Sequence, residues 1–179
     1  SPEQLKKCKK ILVSKCSEST FDGCLTFVIG ENGMDLALKF GLPEKQIIKT
    51  GNWLGPLLVA AAENGVKNLL IFGYHGKLVK LAGGIFHTHH HLADGRLEIL
   101  TSLAVREGIS IDLIQVISKS TTVENALLAL ETHNPDEVAL IWTRMAKEIE
   151  IKSRSYVNRY LSSSIEIGSV LFNHKKQVR

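Results

Sequence analysis

The sequence predicts an α/β fold: a layered sheet with mostly parallel strands and flanking helices, followed by a helical carboxy-terminal region and a final strand. Three observations carry this reading. Short β-rich apolar runs alternate with stretches of helical periodicity; the first two runs each stop at a glycine-bearing loop that opens the next helix; and the run 68–72 is apolar throughout its length after Asn68, as suits a strand buried on both faces of a parallel sheet.

The elements follow in order. Ser1-Pro2-Glu3 reads as a helix start with proline in the first turn, and Leu5, Cys8, Ile11 and Leu12 repeat at helical spacing until about Cys16. Cys24–Ile29 is a strand that stops at Gly30-Glu-Asn-Gly33, after which Met34, Leu36, Ala37, Leu38 and Phe40 mark a helix. Gln46–Thr50 is the second strand, Gly51-Asn-Trp-Leu-Gly55 the second loop, and Pro56 lies in the first turn of a helix that runs to about Asn64 and is capped by Gly65. Asn68–Phe72 is the third strand. A short lysine-bearing helix lies between Gly73 and Gly84, and a clear helix runs from about Gly95 to Arg106. Helices at Ser110–Ile117, Thr121–Glu131 and Pro135–Tyr160 precede the strand Ile165–Phe172, with Thr121 or Thr122 as one cap and Pro135 as one start.

Composition narrows the function classes. With 44% hydrophobic and 22% charged residues over 179 positions, the chain can bury a core without staples, and a single domain over 1–179 is the expectation. There is no apolar run of membrane-spanning length, and the first residues are charged throughout, so no membrane association is expected. Cys8, Cys16 and Cys24 are an odd set with no CxxC pair, which argues against a disulfide framework or a cysteine zinc site and for a reducing cytoplasm. The net charge of +4 is modest, and 6% aromatic residues leave no interleaved basic and aromatic pattern, so nucleic acid is not an expected partner.

Three segments can carry chemistry. Gly30 to Gly33 follows a strand and opens a helix, where backbone amides face outward and glycine lets a ligand approach; Gly51 to Gly55 holds the same position after the next strand. Gly30, Asn32, Gly33, Gly51, Asn52 and Trp53 are therefore candidate cofactor contacts, with Asn32, Asn52 and Trp53 expected to reach one crevice, although neither loop reads GxGxxG. Lys77 and Lys80 are three apart and share a helix face suited to carboxylate or phosphate. His75, His87, His89, His90 and His91 gather within seventeen residues. Such density invites a metal-dependent hydrolase built on His87, His89, His91 and Asp94, but a continuous run of histidines cannot aim every ring at one ion. No tight metal site is expected, and use in substrate or proton handling, or in structural hydrogen bonding, stays open. Asp94 stands where a helix begins and is also a candidate cap.

The GNWLG turn, the block GYHGKLVKLAGGIFHTHHHLADGRLEIL and the terminal GSVLF together resemble the CbiD family of cobalt-precorrin-5B C1-methyltransferases, over nearly the whole chain from Gly30 onward. The resemblance implies the carboxy-terminal part of a longer protein without its amino-terminal domain. It also implies S-adenosyl-L-methionine as cofactor, a multiply carboxylated cobalt-precorrin as substrate, and a role in anaerobic cobalamin synthesis. On that reading His75, Lys77, Lys80, His91 and Arg96 are substrate contacts, and His87, His89 and Asp94 are candidates for a proton step. Alternatives are a non-catalytic domain that holds the tetrapyrrole or a partner, and the histidine-rich hydrolase. A homo-oligomer is compatible with the sequence.

Overall fold

The structure, a computed structural model, describes residues 1–30, 32–89 and 94–179. Helix α1 (Pro2–Ser17) starts at a capping box in which the Ser1 hydroxyl accepts from the Gln4 amide and the Gln4 side chain reaches back to Ser1. Strand β1 (Cys24–Ile29) leads through the Gly30 turn to α2 (Gly33–Lys39), and a single 3₁₀ turn at Glu44–Gln46 leads into β2 (Ile47–Lys49). Helix α3 (Leu54–Glu63), β3 (Asn68–Tyr74) and α4 (His75–Ala82) complete the βα alternation. Then come α5 (Arg96–Arg106), α6 (Ile111–Lys119), α7 (Val123–Glu131), capped by the Thr122 hydroxyl, and the long α8 (Pro135–Asn158), before β4 (Glu166–Phe172).

The four strands form one sheet in the order β2-β1-β3-β4, and every pairing is parallel. Parallel pairing puts all four carboxyl ends on one rim. The chain leaves β1 toward β2 on one side and continues with β3 on the other, so β1 and β3 flank the switch point at which open α/β sheets hold ligands.

The two sheet faces are covered unequally. Leu25, Phe27, Ile29, Leu69, Ile71, Ile167 and Leu171 point into a large core shared with α1, α3, α4, α5, α6, α7 and α8, in which Leu54, Leu57, Leu81, Leu100, Ile117, Ile141 and Met145 are all essentially buried. Among the described residues, the other face is covered by the short α2 and the turn after it: Leu36, Ala37 and Leu42 pack over Val28, Ile47, Phe72 and Phe172. Gly33 makes this close approach possible, because a Cβ there would stand 2.4 Å from Val28 Cγ1. A charge cluster clips the helices together, with the buried Glu148 of α8 paired to the half-exposed Arg106 of α5 at 2.9 Å and to Arg144 one turn away at 3.7 Å. Among the described residues, no helix is long and apolar enough to cross a membrane.

Candidate functional site

Two compartments open at the carboxyl rim. The larger, about 420 Å³, is walled by Ile29 and Gly30 after β1, Asn32 before α2, Tyr74 at the end of β3, Lys77 of α4, and Phe172, Asn173, His174 and Lys176 at and beyond the end of β4. The smaller, about 180 Å³, is lined by Asn52, Lys77, Lys80, Thr88, His89 and Arg96. Lys77 stands in the wall of both, so the two compartments adjoin.

The larger space sits where β1 and β3 end. Gly30 adopts φ +96°, a region that side-chain-bearing residues rarely enter, and the space where its Cβ would stand is open to 4 Å. A ligand can therefore lie against this stretch of backbone. Tyr74, Phe172 and Ile29 supply flat and aliphatic surface, and burial raises the Tyr74 phenol above its ordinary range.

The smaller space is cationic and rigidly built. Thr88 is its keystone: its hydroxyl donates to Asn52 Oδ1 at 2.8 Å, its amide donates to the Asn52 carbonyl at 3.2 Å, and its own carbonyl accepts from Lys80 Nζ at 3.1 Å. Lys80 is 2% exposed, and burial pushes its ammonium pKa down, against the pull of Asp94. Arg96 faces several partners at once. Its Nε and Nη2 grip both oxygens of Asp94 at 2.9 and 3.0 Å, while Nη1 donates to the Gly76 carbonyl and to Glu124, each at 3.2 Å. This fork ties the start of α5 to α4 and α7. The guanidinium hydrogen bonds hold the Asp94 carboxyl at about 2, so Asp94 is a carboxylate under any ordinary condition.

The expected site residues distribute unevenly. Gly30 and Asn32 line the larger compartment, whereas Asn52 lines the smaller, so the two glycine loops serve two adjoining spaces and not one crevice. Gly33 is buried as the packing seat of α2 on β1 and lines neither. Gly51 forms the turn after β2 with φ +58°, and Trp53 is occupied by a bridge and an edge-on ring contact with His87 at 4.5 Å. Lys77, Lys80, His89 and Arg96 converge on the smaller compartment. His87 lies against Trp53, and its Nδ1 has no hydrogen-bond partner among the described residues. Gly95 holds the N-cap position of α5, but Asp94 caps the helix from one residue further out, its Oδ1 accepting from the Arg96 amide at 3.2 Å while its carboxylate pairs with the Arg96 guanidinium. His91 lies outside the described residues.

His75 departs most from expectation. As a substrate contact it would need an open face, but it is 0% exposed, wedged between the Tyr74 and Trp142 rings at 5.1 and 4.7 Å. Neither ring nitrogen has a hydrogen-bond partner among the described residues, and burial lowers its pKa to about 4. It is a neutral core ring. Among the described residues, no group of three or more His, Cys, Asp or Glu converges as a metal-binding set.

Sequence reasoning missed Tyr74, Thr88, Glu124, Phe172, Asn173, His174 and Lys176. The first follows a strand expected to stop at Phe72. Those at and beyond Phe172 enter the site only because β4 pairs with β3, across nearly a hundred residues of chain.

Comparisons with known proteins place the chain in a family. The family model described as "CbiD, C-terminal domain" matches residues 87–179. The chain is 82% identical over all of its 179 residues to the cobalt-precorrin-5B C(1)-methyltransferase of Prochlorococcus marinus strain NATL1A, and 79% identical to that of strain NATL2A, covering 47% of each relative. It is 48% identical to the protein of the same name from Synechococcus sp. strain CC9902, of which it covers 49%. The chain thus spans about half the length of the curated relatives it matches. No solved structure matches it. Because the family model takes in more than half of the chain, including β4, helices α5 to α8 and the Thr88–His89 wall, the chain belongs to the CbiD family.

Proposed function

We propose that this chain is the carboxy-terminal α/β domain of a cytoplasmic enzyme that transfers a methyl group from S-adenosyl-L-methionine to C1 of cobalt-precorrin-5B in anaerobic cobalamin synthesis. The observation that carries the reading is the pair of adjoining compartments at the carboxyl rim, one part-apolar and one cationic, with Lys77 between them. A methyl donor and a polycarboxylated acceptor need this kind of adjacency. The relatives that bear the methyltransferase name support the choice of acceptor.

The larger compartment suits the methyl donor. Its volume falls in the range of roughly 300–1,000 Å³ usual for small-ligand pockets. Tyr74 and Phe172 offer surface for a purine, Asn32 a polar group, and the Gly30 backbone a close approach. S-adenosyl-L-methionine brings a methyl group already activated by its sulfonium, so the chain's own work is to bind, orient and exclude water. In the smaller compartment the exposed Lys77 meets a substrate carboxylate, the buried Lys80 holds the wall through the Thr88 carbonyl, and Arg96 keeps it in shape through Asp94, Glu124 and Gly76. His89, which lines the same space, takes the proton step in this reading, since Asp94, held ionised by Arg96, is too weak a base for it. His87 supports the Trp53 turn. The amino-terminal domain of the same protein completes the enzyme.

Calorimetric titration with S-adenosylhomocysteine and with cobyrinic acid tests this. One-to-one binding of both, with the first weakened by Asn32→Ala and the second by Lys77→Met, is the expected result. Corrinoid binding without S-adenosylhomocysteine binding moves the donor to the remainder of the protein and leaves this chain as the substrate-holding part. Failure to bind either removes the proposal.

A further inference from the structure

Beyond β4 the chain turns back on itself. Phe172 bridges Val178 in antiparallel fashion, and the Arg179 amide donates to the Leu171 carbonyl at 2.9 Å. Asn173, fully buried, organises the turn: its Oδ1 accepts from the Lys175 and Gln177 amides at 3.0 and 2.9 Å, and its side-chain amide donates to Gln177 Oε1 at 3.0 Å. Glu131 of α7 pins the hairpin from outside by its ion pair with Arg179. Within the turn Lys176 takes φ +62°, and among the described residues it alone has a positive φ without being glycine. Glycine or asparagine would make the same turn at lower cost. Lys176 and His174 form part of the wall of the larger compartment. A strained backbone at a cavity wall is the pattern found where the identity of the side chain matters more than the ease of the turn.

We propose that this hairpin, residues 173–179, is a carboxylate-recognition element of the larger compartment, with Lys176 and His174 as its ligand contacts. The inference rests on the reading of that compartment as a ligand site. Lys77 joins them as the third basic side chain in the wall, and no carboxylate stands among the described lining residues. A carboxylate that bridges Lys77 and Lys176 while its carrier packs on Tyr74 and Phe172 satisfies both the charge and the apolar surface. That carboxylate comes either from the amino-acid end of an S-adenosyl compound or from a side chain of the tetrapyrrole.

Lys176→Gly separates the two roles of the residue, since it removes the ammonium and relieves the backbone together. The chain and this variant are titrated with S-adenosylhomocysteine, with methylthioadenosine, which lacks the amino-acid end, with cobyrinic acid, and with its neutral heptamethyl ester. The expected result is a raised melting temperature with about a tenfold loss of affinity for one carboxylate probe and no change for its neutral counterpart, on the scale of one charge-assisted hydrogen bond; Lys176→Arg restores the affinity. Loss for S-adenosylhomocysteine assigns the hairpin to the methyl donor, and loss for cobyrinic acid alone assigns it to the tetrapyrrole and removes the donor from this compartment. Unchanged affinities with a raised melting temperature overturn the hairpin's role while leaving the compartment as a ligand site. Binding of no probe overturns both.

Discussion

Gly33 was expected to touch a cofactor and is instead the place where α2 rests on β1, and Gly33→Ala distinguishes the two roles. The added methyl would stand 2.4 Å from Val28 Cγ1, well inside contact distance, and Val28 is 1% exposed in the middle of the sheet. Overpacking of this kind costs about 1–3 kcal/mol. Alanine at a helical position returns at most about 1 kcal/mol, and less in a first turn. Gly33→Ala should therefore destabilise by about 1–2 kcal/mol, read as a lower urea midpoint at unchanged m. Val28→Ala alone should cost roughly 2–3 kcal/mol by emptying space under α2. In the double variant the new methyl occupies the emptied space, so the combined loss should fall short of the sum by about 1 kcal/mol or more. Additivity within about 0.3 kcal/mol would refute the packing account. S-adenosylhomocysteine affinity adds a second readout, because a packing role predicts its recovery in the double variant and a contact role does not.

Three further outcomes follow from the charges. The Asp94 carboxyl is held at about 2 by Arg96, below its unfolded value near 3.8, so its stabilisation is complete above about pH 4 and disappears as the pH falls toward 2. With 43% of its side chain exposed, screening reduces this to about 1 kcal/mol, and Asp94→Asn should remove that much of the pH dependence between pH 5 and 2 in urea titrations. His75 has its pKa lowered to about 4 from 6.5, so the unfolded chain takes up the proton first and stability falls as the pH drops from about 6.5 to 4. His75→Phe should flatten that window, which is worth up to about 3 kcal/mol, and an unchanged slope in thermal melts would show that another group titrates there. Arg144→Met leaves Glu148 with Arg106 alone and takes the guanidinium from Glu107, so it should destabilise more than Glu148→Gln, after which both arginines still reach water; the reverse order in denaturant melts would contradict the cluster as described.

Much of the fold was legible because its signals are local. Pro2 in the first turn of α1, the apolar run ending at Ile29, the Thr122 cap and Pro135 at the start of α8 each stand within a few residues of the element they define. The second strand shortened from Gln46–Thr50 to Ile47–Lys49 because a 3₁₀ turn takes Gln46, and the third lengthened to Tyr74 because β4 pairs along its whole length. The site was less legible. Lys77 and Lys80 do line one cavity, as their spacing implied, yet spacing carries no trace of Thr88 reaching back to Asn52 or of Glu124 reaching Arg96. The density of histidines suggested shared chemistry, but burial decides what each ring does: His75 is sealed among aromatic rings while His89 faces a cavity.

The all-parallel sheet also divides the surface into two kinds of territory. Every loop that leaves a strand belongs to the carboxyl rim, and every loop that enters one belongs to the opposite edge, where the Lys67 amide donates to Gly23 and the Glu166 amide to Lys67, each at 2.8 Å. Those stitches hold the strand starts in register without help from the ligand rim. A reporter group at an exposed position such as Glu44 or Ser162, both on segments that enter strands, will therefore track unfolding while staying blind to anything bound across the sheet. The protein can be labelled, tethered or fused on that edge with its compartments left untouched.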